Sequence, residues 1–231
     1  MNVPFHLVEK YNVPGPRYTS YPTAVEFGAD LSKTKQEKRW RNTLQRDRSG
    51  PGARGLSLYF HIPFCYSLCW YCGCTKVITR NSDRGDLYLD YLEKEMNLTL
   101  DSFDARGPVR QVHFGGGTPT FLRPGQLDRL GELIHERFPV DSETEFSVEI
   151  DPRRCDRDRI EALRRMGCNR ASLGVQDTNP DVQEAIHRIQ PFEMTRDVTA
   201  MLRSVGIGRI NLDLIYGLPV QTIQSFQQTL D

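Results

Sequence analysis

Neither sign of charge is in excess in this sequence, and no long apolar run interrupts it. Lys+Arg and Asp+Glu are both 30 in 231 residues, so bulk charge offers nothing to nucleic acid or to an anionic membrane surface. No window approaches the apolar length that spans a bilayer. The opening "MNVPFHLVEKYNVP" has no basic start followed by an apolar stretch, so no secretory signal is expected and the expected compartment is the cytoplasm. Cysteine is scarce, with six in all. Cytoplasmic thiols stay reduced, which favours metal binding or redox chemistry over a disulfide framework. What is present is an ordinary globular composition, 38% hydrophobic and 26% charged, enough for one large domain or two small ones.

Short apolar, β-prone runs recur at "LSLYFHI" (Leu56–Ile62), "VRQVHF" (Val109–Phe114), "TEFSVEI" (Thr144–Ile150), "RASLGV" (Arg170–Val175) and "RINLDLIYG" (Arg209–Gly217). They read as strands buried on both faces of a parallel sheet. Amphipathic stretches lie between them. "DLYLDYLEKEMNLTLDSF" places Leu87, Tyr91 and Leu98 near one face, and "PGQLDRLGELIHERF" does the same with Leu127, Leu130, Leu133 and Ile134. "DRDRIEALRRMG" ends in a helix-stopping Gly167, and "PDVQEAIHRI" and "EMTRDVTAMLRSVG" supply two further helices. This alternation predicts an α/β fold with right-handed crossovers. Residues 1–50 differ: "YNVPGPRYTSYPTAVEF" is rich in Pro, Gly and Tyr without periodicity, and reads as an extended N-terminal arm. Residues 51–231 form the βα domain.

Polar and glycine residues gather where the strands end. The first ends at Cys65, the second at "GGGTPT", the third at Glu149 and "DP", the fourth at "VQD", and the fifth contains Asp213. In a barrel of βα units that end carries the active site. Four cysteines crowd into "HIPFCYSLCWYCGC" (His61–Cys74). Cys65, Cys69 and Cys72 can turn three thiolates to one centre and leave a further position open. Iron–sulfur clusters and zinc both take thiolates, and a closed zinc site would need a fourth ligand, for which Cys74 is a short reach. Cys155 and Cys168 read as small buried hydrophobes. His61 and His113 sit in strands and read as satisfied core histidines without assigned chemistry.

A CxxxCxxC loop after the first strand, with "GGGTP" after the second, resembles the radical S-adenosylmethionine enzymes. "PGPRYTSYPTA", "LYFHIPFC", "CWYCGC", "HFGGGTPT", "SVEIDP", "SLGVQD" and "NLDLIYGLP" together are similar to one family among them, the oxygen-independent coproporphyrinogen III oxidases. The resemblance implies a TIM-like partial (β/α) barrel with about five βα units present. It implies a 4Fe–4S cluster on Cys65, Cys69 and Cys72, whose open iron chelates S-adenosylmethionine and generates a 5′-deoxyadenosyl radical. It implies cofactor contacts from Tyr59, Gly116, Gly117, Thr118, Glu149, Gln176, Arg188 and Asp213. The glycines permit close approach. Thr118 and Gln176 supply hydrogen bonds, Glu149 and Asp213 suit ammonium or ribose hydroxyls, and Arg188 suits a carboxylate. The implied reaction is oxidative decarboxylation of two propionates of coproporphyrinogen III to the vinyl groups of protoporphyrinogen IX in haem biosynthesis. An electron donor is required, no nucleic acid or membrane partner is expected, and a monomer is expected. Arg17 in the arm is a candidate contact for the anionic substrate; no catalytic residue is assigned.

Cys74 and the "PGPRYTSYP" arm favour the oxidases over the related haem chaperones, which generally lack both. A haem-trafficking protein without decarboxylase activity, and a zinc-stabilised module, are the alternatives. The family's barrel has a sixth βα unit and a helical C-terminal domain. This sequence reaches only the helix after the fifth strand, so it reads as a truncated form.

Overall fold

In the computed structural model the described residues are 4–11, 32, 34–35, 38–39, 41–42, 55–102 and 108–231. The chain divides into a unit Met1–Asn42 and a unit Thr43–Asp231. In the first, a helix α1 spans Phe5–Tyr11; the rest of the "PGPRYTSYP" arm, Arg17 included, lies outside the described residues.

The second unit is built on five parallel strands: β1 (Leu56–Ile62), β4 (Val109–Gly116), β5 (Glu145–Ile150), β6 (Arg170–Gln176) and β7 (Arg209–Leu214). They pair in chain order, β1-β4-β5-β6-β7, all in parallel. Helices α2 (Arg84–Ser102), α3 (Pro124–Arg137) and α4 (Arg157–Met166) make the first three crossovers, α5 (Pro180–Ala185) and α6 (Phe192–Ser204) together make the fourth, and α7 (Ile223–Leu230) follows β7. This is the α/β alternation that the pattern predicts and the partial βα barrel that the resemblance implies. Helix boundaries follow local chemistry. Gln126 Oε1 accepts from the Arg123 amide ahead of Pro124 at the start of α3, and Asp156 caps α4 through the Arg159 amide. Gly167 ends α4 at φ +109°, the left-handed conformation that favours glycine at a helix stop.

Two expectations need correction. The strands are not apolar on both faces. Phe60, Ile62, Val112, Phe114, Val148, Ile150, Ala171 and Leu173 are buried under the helices. The opposite face carries Ser57, Tyr59, His61, Gln111, His113, Glu145, Ser147, Glu149, Ser172, Asn211 and Asp213, and hydrogen bonds cross it: Ser57 to Gln111, Gln111 to Glu145, His113 to Ser147, Asn211 to Ser172. His61 and His113 belong to this polar face rather than to the core. A period of two was present in "LSLYFHI" and decided the orientation.

On α2 the buried side is Leu89, Leu92 and Met96, while Leu87, Tyr91 and Leu98 are exposed. Both triplets satisfy helical spacing, and the direction of the crossover chose between them. Met96→Ala should therefore cost about 2–5 kcal/mol, and Leu98→Gln should stay within about 0.5 kcal/mol of the parent. Urea denaturation of the two variants checks this; equal losses would restore the original face. On α3, by contrast, Leu127, Leu130, Leu133 and Ile134 are buried as expected.

Candidate functional site

A cavity of about 170 Å³ opens at the C-terminal ends of the strands. Its lining joins the cysteine loop (Cys65, Cys69, Cys72, Cys74), the loop after β4 (Gly116, Gly117, Thr118) and polar groups from β5, β6 and β7 (Glu149, Gln176, Asp213), with Arg188 closing one side. Every residue expected at the cofactor site is in that lining except Tyr59. Tyr59 lies on the polar sheet face, its hydroxyl 3.0 Å from His61 Nδ1 and its ring stacked on His113 at 5.8 Å.

The cysteine loop is pinned from three directions. Short strands β2 (Phe64–Cys65) and β3 (Val77–Ile78) pair in parallel at its base. The loop after β4 is stitched to it: the Gly117 amide donates to Ile62 O at 2.8 Å and the Thr118 amide to Phe64 O at 2.8 Å. Gly116 takes φ +115° to make that turn, a conformation available cheaply only to glycine. From far along the chain, the Trp70 amide donates to Ile186 O at 3.0 Å and His187 Nδ1 sits 2.7 Å from Leu68 O, with the two rings stacked. This explains why α5 stops at Ala185, short of the expected "PDVQEAIHRI". The chain turns back through His187 at φ +56°, and Arg188 swings into the cavity.

Arg188 meets a carboxylate, and that carboxylate is the chain's own Asp151. Both Nη atoms lie 3.4 Å from Asp151 oxygens, and Nη2 donates to Gly174 O at 2.6 Å. Its Nε is buried without a hydrogen-bond partner, a donor available to a ligand. Asp151 is gripped more tightly by Arg153, whose Nε and Nη2 donate at 2.7–3.2 Å. Burial alone would raise the Asp151 carboxyl, but the Arg153 hydrogen bond and the charges of Arg188 and Arg153 hold it below the usual carboxylate range. Glu149 Oε1 lies 3.2 Å from His113 Nε2, and Asp213 accepts from Ser172 at 2.6 Å and Asn211 at 2.7 Å. Thr118 is buried, its hydroxyl 3.2 Å from that of Thr120. Gln176 stands at φ +69° beside a register shift in β6, a strained position of the kind that gathers at functional sites. Asp151, Arg153, Tyr71, Lys76 and Ser172 line the same cavity and were not anticipated; for Asp151 the signal was the "DP" that follows the third strand.

The donor set suits a cluster. All the cysteines are free. As a free thiol Cys65 is pushed up to about 11, first by burial and then by the charges of Cys72, Asp151, Cys69 and Cys74. Thiolates crowded this way are stabilised by a cationic group that takes them as ligands. Among the described residues no three His, Cys, Asp or Glu side chains converge on one ion-sized point. A cubane does not ask for that convergence, because each thiolate takes a different iron. Cys65, Cys69 and Cys72 could hold such a cluster. Cys155 and Cys168 stand apart in the core, both pushed up to about 12 by burial first. At pH 8 their thiolate fraction is on the order of 1 in 10,000. Iodoacetamide should thus label exposed Cys74 in the native metal-free protein and reach Cys155 and Cys168 only after unfolding; peptide mass mapping reads the order, and native labelling of Cys168 as fast as Cys74 would contradict it.

These features define a class. The radical SAM superfamily profile matches residues 59–231, and the chain belongs to that superfamily, whose members carry a 4Fe–4S cluster and S-adenosylmethionine. Its similar relatives are oxygen-independent coproporphyrinogen III oxidases: that of Helicobacter pylori strain J99 is 44% identical over 99% of this chain and 50% of its own length, and that of Escherichia coli K12 is 45% identical over 97% and 47%. The chain spans about half the length of the curated relatives it matches. Among solved structures, coproporphyrinogen III oxidase from Escherichia coli, a radical SAM enzyme, superposes with a TM-score of 0.84 at 42% identity, over 99% of this chain and 49% of its own. The radical S-adenosylmethionine methyltransferase TsrM from Kitasatospora setae, at 15% identity and a TM-score of 0.52 over 77% of this chain and 34% of its own, shares the fold alone.

No helix among the described residues is long and apolar enough to cross a membrane.

Proposed function

We propose that this chain carries the cofactor-binding part of an oxygen-independent coproporphyrinogen III oxidase, a radical SAM oxidoreductase that converts two propionates to vinyl groups and yields protoporphyrinogen IX. The observation that carries the reading is the single cavity in which three cysteines from one loop face polar side chains from three strand ends. When bound, the cluster and S-adenosylmethionine supply one-electron chemistry able to remove a hydrogen atom from an unactivated carbon. Each propionate then loses that hydrogen, carbon dioxide and one further electron, so both an electron donor and an acceptor are partners of the reaction.

The chain's own residues bind and orient. Cys65, Cys69 and Cys72 provide the thiolates. Gly116 and Gly117 keep the floor of the cavity free of side chains, and their segment holds the cysteine loop in register. Glu149, steadied by His113, and Asp213, steadied by Ser172 and Asn211, present oriented carboxylate oxygens to the amino group and ribose hydroxyls of S-adenosylmethionine. The Arg188 Nε and the Gln176 amide offer the complementary donors. Tyr59 acts on the sheet face next to this cavity. Burial of Cys69, Asp151 and Arg188 keeps water from that side of the site.

The test is an anaerobic assay with a strong reductant, following 5′-deoxyadenosine and protoporphyrinogen IX separately. Formation of both supports the reading. Haem uptake without cofactor cleavage would replace it with a haem-trafficking role, and a colourless protein holding one tightly bound zinc would replace it with a structural one.

A further inference from the structure

Of the four cysteines in the loop, Cys69 alone receives side-chain hydrogen bonds from cations among the described residues. Arg153 Nη2 donates to Cys69 Sγ at 3.4 Å and Arg188 Nη1 at 3.6 Å. Both guanidiniums are tied to Asp151, which lies between them. Cys69, Asp151 and Arg188 are largely withdrawn from solvent, and Arg153 is nearly so. Two guanidiniums and one carboxylate leave one positive charge, which a thiolate at Cys69 balances. Lys76, beside the other loop cysteines, donates to the backbone carbonyls of Cys72 and Cys74, not to sulfur. The site is therefore electrically lopsided, with its positive side at Cys69.

We infer that Arg153, held by Asp151, is a positioning residue that tunes the cluster through the Cys69 sulfur, raising its reduction potential by stabilising the charge added on one-electron reduction. The inference rests on the cluster reading above. Its physical basis is that hydrogen bonds to ligand sulfur and nearby net charge set the potential of an iron–sulfur centre. Arg153 suits the task because its planar fork binds Asp151 along one edge, through Nε and Nη2, and Nη2 still aims an N–H at sulfur. Arg188 shares the contact at longer range, but it also donates to Gly174 O and keeps an unpartnered Nε, so Arg153 is the residue whose position is given over to Cys69 and Asp151.

The experiment is a redox titration of the anaerobically reconstituted protein, with dithionite as reductant and EPR as the readout, on the parent, Arg153→Gln and Arg153→Lys. Iron and sulfide are counted in each, and circular dichroism follows folding. Arg153→Gln should assemble a full cluster with a more negative potential, so that at the parent's midpoint its reduced-to-oxidised ratio falls about tenfold, or about 59 mV for one electron. Arg153→Lys keeps the charge without the fork and should fall between the two. An unchanged potential in Arg153→Gln at full iron content would overturn the inference, leaving Arg153 as a structural partner of Asp151. Folded variants that hold no iron, both Gln and Lys, would overturn it too, since Arg153 would then be needed for assembly rather than tuning. A parent that assembles no cluster would instead remove the cluster reading on which it rests, a distinct outcome read from the parent alone.

Discussion

Replacing Cys65, Cys69 or Cys72 by serine, one at a time, should abolish cluster assembly, while Cys74→Ser should keep iron and sulfide at the parent's level. The three residues line one cavity from one loop, and a cubane held by two thiolates and a weak hydroxyl ligand is not retained. Cys74 lies in the same lining but is exposed, next but one to Cys72. The effect is all or none: iron and sulfide per chain should fall from about four to near zero in three variants and stay in the fourth. Loss of iron in Cys74→Ser equal to that of the others would make Cys74 a ligand and remove the open iron position.

Gly117→Ala should be a strongly damaging single-methyl change in the site. A Cβ there would stand 2.6 Å from Phe64 O and 2.9 Å from Cys65 Sγ. The first contact is with backbone and cannot be relieved by a rotamer change, so the cysteine loop and the loop after β4 must part. Their joining hydrogen bonds, Gly117 to Ile62 and Thr118 to Phe64, would stretch or break. Overpacking of this kind costs about 1–3 kcal/mol, and the displacement falls on the first cluster ligand, so reconstituted iron should drop severalfold as well. Gly125→Ala is the control. Nothing lies within 4 Å of its added Cβ, and in helix α3 it should stabilise by roughly 0.4–1 kcal/mol. Thermal unfolding and iron content of the two variants separate the cases; a Gly117→Ala protein with the parent's Tm and iron would mean that the close approach does not exist.

The strand order, the crossovers and the cysteine loop were legible because each is local: a β-prone run, a helical period, a CxxxCxxC spacing. The orientation of the elements was less so. In "LSLYFHI" the count of apolar residues hid the alternation that puts Ser57, Tyr59 and His61 on the open face. On α2 two apolar triplets competed, and only packing into the shared core selects Leu89, Leu92 and Met96. The partners of Cys69 were not legible at all. Arg153 is 84 residues away and Arg188 is 119, and neither spacing carries a period or a motif. Arg188 was anticipated as a carboxylate binder, yet the carboxylate it meets is Asp151, because the turn that ends α5 brings Arg188 to the cavity wall where Asp151 follows β5.

The most direct measurement is the EPR spectrum of the reduced, reconstituted protein with and without S-adenosylmethionine, taken at equal iron content. The account places the open side of a three-thiolate cluster toward the cavity lined by Glu149, Gln176, Arg188 and Asp213. It predicts that S-adenosylmethionine changes the spectrum of the parent and that Glu149→Ala weakens the change without loss of iron. A full cluster whose spectrum is the same with and without S-adenosylmethionine would contradict it.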